Sequence, residues 1–369
     1  MKAAILAIGI ACLLVSQASA STFDAYYGFG DSTLDSGWWS GALNGQCGAV
    51  SPSCTTGSPT KDAKISAAIA NGGSGAPVGV GQMSSQILAA DFGRTAIPAN
   101  QTNGTNYAIS GALSARVAGF GNLNPNANLP STAEQIQTYL GSHFNTADPN
   151  AIYEVSSGGN DRTYAQDNYS TLAAKETFLS SQASALATAI QSLAAAGANT
   201  ILVRGAPATG TLASFWTNAI FSDLAVLNVN FIQVDMADLV QTVESNPTLY
   251  GFTSSTVLPG VAGDSNPSSA CAAGAGASGW GQWCADTTTP DPNHEYSHLR
   301  STDAEQTSFF SDDQHFSAAG QAIVANYEFG LLNPAPLPTA LPLFASSIAA
   351  LGLLGWRKKK KRSLTRAIA

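Results

Sequence analysis

Four short segments hold the reactive groups that this 369-residue sequence sets in an ordered pattern. They are Gly30-Asp31-Ser32-Thr33, Ile109-Ser110-Gly111-Ala112, Gly158-Gly159-Asn160-Asp161 and Asp312-Asp313-Gln314-His315. A serine hydroxyl is a weak nucleophile until a base takes its proton. His315 is the candidate base for Ser32. Asp312, three residues earlier, is the candidate acid that holds the imidazole tautomer and stabilises the imidazolium. That spacing puts both side chains on one side of a helical turn. Three groups could donate to an oxyanion: the backbone N–H of Ser32, that of Gly111 and the side-chain amide of Asn160. Glycine at 111 lets the backbone come close to a substrate. Each segment alone occurs by chance in many chains; the ordered set points to acyl transfer through a serine. That chemistry requires no metal and no organic cofactor.

Strands must carry these groups to one rim. Ala25–Phe29 reads as a buried strand ending at Gly30, and Ala151–Val155 as another running into the glycines before Asn160. Thr200–Val203 and Val229–Val234 read as two more, and Asn106–Ile109 as a strand end. Helices are predicted over Lys61–Ala70, Ser84–Phe92, Thr132–Leu140 with Thr132 as its cap, Ser170–Ala196, Met236–Glu244 and Ser317–Phe329. Strands alternating with helices imply parallel βαβ units, hence an α/β fold. In such sheets catalytic loops lie beyond the carboxyl ends of the strands, where Ser32 and Asn160 both fall.

Both ends of the chain read as addresses. Residues 1–20 carry Lys2, an apolar run from Ala3 to Val15, and Ala18-Ser19-Ala20, the plan of a secretory signal peptide cut by signal peptidase after Ala20. Residues 334–369 begin Pro334-Ala335-Pro336-Leu337-Pro338. An apolar stretch from Ala340 to Trp356 follows, near the lower length limit for a membrane span, and then the basic cluster Arg357–Arg362. Of 16 Lys+Arg, eight lie in these two ends, whereas all 24 Asp+Glu lie between them, so the body has a net charge of −16. That excludes nucleic acid as a partner, because its phosphates would be repelled. The span from 21 to 333 is long enough for one α/β domain with a substantial core.

Once Cys12 leaves with the signal peptide, Cys47, Cys54, Cys271 and Cys284 remain, an even number suited to two disulfides in an exported chain. Three pairings are possible; Cys47–Cys54 with Cys271–Cys284 would staple two Gly/Ser-rich loops. Whether the Cys271–Arg300 region is a lid is open. His294-Glu295-Tyr296-Ser297-His298 has the form of a zinc-protease motif, but that motif needs a helix and a third ligand, and Pro290 and Pro292 precede it. An exposed loop near the site is the preferred reading. Trp38, Trp39, Trp280 and Trp283 either line a cleft or pack under a disulfide loop, and His143 reads as a surface residue.

The chain resembles the GDSL, or SGNH, hydrolase superfamily through Ser32, Gly111, Asn160 and His315, with Asp312 as the acid. Phe29–Gly37, Thr105–Ala108 and Tyr250–Thr253 are similar to blocks of its lipase/phospholipase-like branch, in whose histidine block the position of Asp313 does not suit the acid. The resemblance implies a flavodoxin-like three-layer α/β/α sandwich with a central, mostly parallel sheet. It also implies serine esterase or lipase activity on lipid or small-molecule esters, without a cofactor; polysaccharide O-acetyl esters are the alternative substrate, and a non-catalytic surface or matrix binding protein is the alternative class. Three departures stand out: Thr33 in place of the usual leucine, a short stretch between Pro207 and Asp235 that should cramp its helix, and Phe316 in place of the proline after histidine. The C-terminal segment resembles PEP-CTERM sorting signals. This implies transient membrane insertion and an exosortase-type protease as a processing partner, with delivery to the cell surface or medium; a plain C-terminal anchor is the alternative.

Overall fold

Four strands form a sheet in the order β1 (Tyr26–Gly30), β2 (Ile152–Ser156), β3 (Thr200–Arg204) and β4 (Ile232–Val234), every pair parallel. The structure is a computed structural model. It describes residues 23–46, 58–115, 129–208, 210–253, 269–272, 284–293, 295–312 and 314–333. The expected signal peptide, the C-terminal sorting segment, Cys47, Cys54, Trp280, Trp283, His294 and Asp313 lie outside these residues.

β1, β2 and β3 are largely buried on both faces, as parallel strands covered by helices are, and one face also carries the paired charges of Glu154 and Arg204. Residues 105–109 extend the sheet along the free edge of β1. Tyr107 N–H donates to Gly28 O at 2.7 Å and Ile109 N–H to Gly30 O at 3.0 Å, with a parallel bridge between Gly28 and Asn106. Counting this edge, the chain order across the sheet is 2-1-3-4-5, the flavodoxin-like arrangement. Alternation along the strands sends Phe29, Tyr153, Val155, Ile201 and Val203 to one face. There they meet α4 (Thr132–Ser142), α6 (Leu172–Ala195) and α7 (Thr211–Val226) in the main core. The other face presents Tyr26, Glu154 and Arg204, which bond one another, α3 (Ser84–Asp91) and α10 (Ala318–Leu332). Helices on both faces make the three-layer α/β/α sandwich.

Local details differ from the sequence expectation in physically clear ways. Ser131, not Thr132, caps α4: its Oγ accepts from Glu134 N–H while the Glu134 carboxylate accepts from Ser131 N–H, a reciprocal capping box. The stretch after Pro207 is not cramped; α7 is a 16-residue helix that buries Ala213, Trp216, Ile220 and Leu224. Trp38 and Trp39 open α1 (Trp38–Leu43) and are buried in the core rather than lining a cleft. α2 (Pro59–Ala70), α5 (Gly159–Asn168), α8 (Met236–Ser245) and α9 (Ala304–Thr307) complete the described helices.

A second, three-stranded sheet has the order β5 (Cys271–Ala272), β7 (Ser297–Leu299), β6 (Cys284–Ala285). Cys271 and Cys284 are joined in a disulfide. Ser297 and His298 sit in β7, not in the helix a zinc-protease motif requires, while Glu295, just before the strand, is exposed in a loop as expected. Among the described residues no helix is long and apolar enough to cross a membrane.

Candidate active site

The nucleophile turn begins where β1 ends. Asp31 N–H donates to Ser156 O at 3.1 Å, and Leu34 and Asp35 N–H both return to Asp31 O. This tight turn leaves Ser32 at the carboxyl edge of the sheet. Thr33, in the usual leucine position, is more than a packing change. Its Oγ donates to Asp31 Oδ1 at 2.7 Å and lies 2.7 Å from Ser156 Oγ, fastening the turn to the end of β2.

Across from it, Asp312 and His315 lie in a tight loop rather than a helical turn. Asp312 Oδ1 accepts from Gln314 N–H and His315 N–H at 2.8 and 2.7 Å, and Ser311 N–H donates to His315 O at 2.7 Å. Asp312 Oδ2 is then 2.7 Å from His315 Nδ1, and His315 Nε2 is 2.7 Å from Ser32 Oγ. Asp312 is fully buried, so its negative charge acts on the imidazole with little screening by water. With Nδ1–H donating to the carboxylate, Nε2 is left to accept the Ser32 hydroxyl proton. Phe316 fills the space of the usual proline. Its ring packs on Phe310 and Phe309 at centroid distances of 4.9 and 5.1 Å, and Phe309 on Phe252 at 5.2 Å. An aromatic stack thus braces the histidine loop.

The Gly111 turn is tied to the nucleophile block through Asp35. Asp35 Oδ1 accepts from Gly37 and Trp38 N–H at 2.9 and 2.7 Å; Oδ2 accepts from Ser110 N–H and Oγ–H at 2.8 and 2.5 Å. Burial pushes the pKa of Asp35 up, an effect these four donors only partly offset. Gly111 has φ +96°, a left-handed conformation that L side chains rarely adopt. Asn160 Nδ2 donates to Ala112 O at 2.9 Å, so the third block meets the second directly. An amide has two N–H donors, and this bond uses one of them. Asn160 stands in the first turn of α5 because Gly158, at φ +112°, turns the chain abruptly out of β2; a Cβ there would lie 2.2 Å from the Trp216 ring. Asp161 holds the neighbouring loop through Ser114 N–H and Oγ–H, and burial pushes its pKa up to about 7.

These residues edge a cleft of about 400 Å³, lined among others by Ser32, Asn160, Arg162, Ala206, Pro207, Phe310 and His315. A model of the GDSL-like lipase/acylhydrolase family matches residues 26–328, a span that contains all four blocks. The chain belongs to that family. No individual curated protein matches it. Membership supports hydrolytic cleavage of esters as the activity. The GDSL-like fold accounts for the site's construction: three strand ends and one loop before the last helix each deliver one block.

The structure brings together Ser32, Asp312 and His315, and it sets Asn160 against the Gly111 turn. Two participants were given no role from the sequence. Asp35 lies within the Phe29–Gly37 block, but its four hydrogen bonds show its role only in the fold, and Arg162 shows itself by lining the cleft. Among the described residues, Cys271, Cys284 and Glu305 are the one close group of metal-ligand types, and its two sulfurs are bonded to each other. Glu305 accepts from Ser311 Oγ and Ala318 N–H, and burial pushes its pKa up to about 8. The disulfide sheet also bonds the histidine loop: Cys271 N–H donates to Ser311 O at 2.9 Å.

Proposed function

We propose that the protein is a serine esterase working through an acyl-enzyme. The observation that carries this is the 2.7 Å contact of Ser32 Oγ with His315 Nε2, continued at 2.7 Å from Nδ1 to the buried Asp312. His315 takes the Ser32 proton as Oγ attacks the ester carbonyl. The oxyanion is met by Ser32 N–H, Gly111 N–H and the second Asn160 N–H, donors fixed before the reaction begins. His315 then protonates the leaving alcohol. Water attacks the acyl-serine with His315 again as base, releasing the acid and restoring the hydroxyl.

We also propose that the protein is exported. A signal-peptide pattern at residues 1–20, a disulfide between Cys271 and Cys284, and an acidic body fit an oxidising compartment outside the cytoplasm. We propose removal of residues 1–20 by signal peptidase. We also propose transient membrane insertion of residues 340–356, with processing of the tail by an exosortase-type protease. The modest cleft, about equally polar and apolar, favours small or short-acyl esters, with polysaccharide O-acetyl groups as the second substrate reading.

A fluorophosphonate probe, followed by peptide mapping, tests the mechanism. Ser32 carries the label in the wild type, and S32A is unlabelled and turns over no p-nitrophenyl ester. Equal labelling of S32A defeats the assignment, and a wild-type protein that turns over no ester in a broad panel favours the binding-protein alternative.

A further inference from the structure

The cleft contains one permanent cation that the acyl-transfer steps do not use. Arg162 follows Asn160 by two residues in the first turn of α5 and lines the cleft beside Ser32 and His315. Its Nε is buried and has no hydrogen-bond partner among the described residues. Asp31 and Asp161 are the acidic groups that act on it, and three of their four oxygens are engaged elsewhere. Asp31 Oδ1 accepts from Thr33 N–H and Oγ–H, and both Asp161 oxygens accept from Ser114. Burial lowers the pKa of Arg162 while the two carboxylates raise it.

A buried guanidinium N–H without a hydrogen bond is costly, and the planar fork of donors, half-open to the cleft, matches a carboxylate or phosphate two bonds at a time. The surroundings suit such a group. Thr163 and Gln166 on the same helix and Gln314 opposite add neutral polar contacts, while Ala206, Pro207 and Phe310 form an apolar wall. The body's charge of −16 gives anions no long-range attraction, so a preference for them must come from a cation within the cleft.

We propose that Arg162 is the specificity determinant of this cleft and receives a carboxylate or phosphate carried by the ester substrate, next to the bond presented to Ser32. This rests on the serine-esterase reading. The competing role is structural: Arg162 would only offset Asp31 and Asp161.

The test uses the intact protein and matched ester pairs. For the carboxylate arm, p-nitrophenyl hemiglutarate is compared with p-nitrophenyl butyrate; for the phosphate arm, 2-acetoxyethyl phosphate with 2-acetoxyethanol. In the wild type the ratio of kcat/KM, anionic over neutral, is about ten or more in at least one arm, and the arm identifies the anion. In R162Q that ratio drops about tenfold or more, as expected for the loss of one charge-assisted contact. R162K keeps part of the preference, and the wild-type ratio shrinks as salt is raised. No anion preference in either arm overturns the proposal, as does an R162Q ratio equal to the wild type's. If R162Q does not fold, the R162K ratio and the salt dependence decide. Calorimetry separates this proposal from the activity itself. Monomethyl glutarate or 2-acetoxyethyl phosphate is titrated into S32A and S32A/R162Q. Binding about tenfold weaker in the double variant supports the anion site even where no ester is turned over; equal or undetectable binding in both sinks it.

Discussion

Replacing Asp35 by asparagine tests how the oxyanion donors are held. The carboxylate accepts four hydrogen bonds, two from the start of α1 and two from Ser110, the residue before Gly111. An amide can keep only one of its two ends as an acceptor. If the NH2 faced Gly37 and Trp38, two backbone N–H groups would each meet a donor. If it faces Ser110, the hydroxyl can rotate and accept, and only Ser110 N–H is orphaned. The second arrangement is therefore adopted. An orphaned buried N–H costs about 1–3 kcal/mol, and the remaining bonds lose their charge assistance. D35N should thus lose about 2–4 kcal/mol of stability, read from urea unfolding. Because the lost bond anchors the residue next to Gly111, kcat should also fall, by about 10–100-fold, short of the loss of a whole oxyanion donor. S110A is the milder control: it keeps the N–H bond, loses the hydroxyl bond, and costs about 1 kcal/mol with a smaller fall in kcat. A D35N protein with lowered stability but wild-type kcat on p-nitrophenyl butyrate would refute the link between Asp35 and the oxyanion site.

Other substitutions give further checks. H315A should lower kcat on p-nitrophenyl esters by about 10⁴-fold or more, because it removes the base; a loss of less than tenfold excludes His315 as that base. D312N keeps the shape of the loop but loses the acceptor for Nδ1–H, and a fall of about 10³–10⁴-fold in kcat is expected with little change in KM. C271S/C284S opens a disulfide with a sequence separation of 13 and should cost about 3 kcal/mol, read as a lower Tm. Since Cys271 N–H holds Ser311, activity at elevated temperature should fall with it; an unchanged Tm shows that the small sheet stands without its clasp.

The parts of this fold that were legible in the sequence are those encoded by local pattern. β2 is a β-branched and aromatic run interrupted only by Glu154, and β3 a run of Ile201, Leu202 and Val203 between Thr200 and Arg204. α6 has a threonine cap and 24 residues dominated by good helix formers, so its limits came out within a few residues. The reactive groups were legible because each block keeps its residue types in chain order. What was hidden depends on contacts distant in sequence. β4 is shorter than its apolar run, since only Ile232–Val234 lie beside β3. α1 starts at Trp38 within a Gly/Ser-rich stretch, because Asp35 receives its first N–H groups. The need for glycine at 158, at a left-handed φ and packed against the Trp216 ring, shows only in the fold. Asp312 and His315 suggested a helical turn, but the Asp312 carboxylate caps its own loop instead. Arg162 follows the Gly158–Asp161 block directly, but nothing in its residue type singles it out; its importance lies in the bond its Nε does not make.

Behind the site, a buried ionic cluster joins the two halves of the triad, and its titration can be predicted. Arg204, at the end of β3, donates through Nε and Nη2 to the Glu328 carboxylate at 2.6 and 2.8 Å, pairs with Glu154, and reaches Thr33 O through Nη1 at 3.3 Å. Tyr26 donates to Glu154 at 2.6 Å. One guanidinium thus bridges the nucleophile turn and α10, the helix that follows His315. Two carboxylates share that single cation. Burial, opposed by Arg204 and reinforced by Glu154, pushes Glu328 up to about 8. The sign follows from linkage. A carboxyl group whose pKa is raised by folding binds its proton more tightly in the folded state. Stability is therefore highest near and below the unfolded value of about 4.5 and declines as pH rises towards about 8. The decline from this one group is at most about 1.4 kcal/mol per pH unit. E328Q imitates the protonated form and should remove that component: its unfolding free energy, measured by urea titration from pH 5.5 to 8.5, should fall less steeply than the wild type's and exceed it at the alkaline end. Parallel curves for the two proteins would mean that Glu328 is ionised throughout, with Arg204 rather than burial governing the cluster.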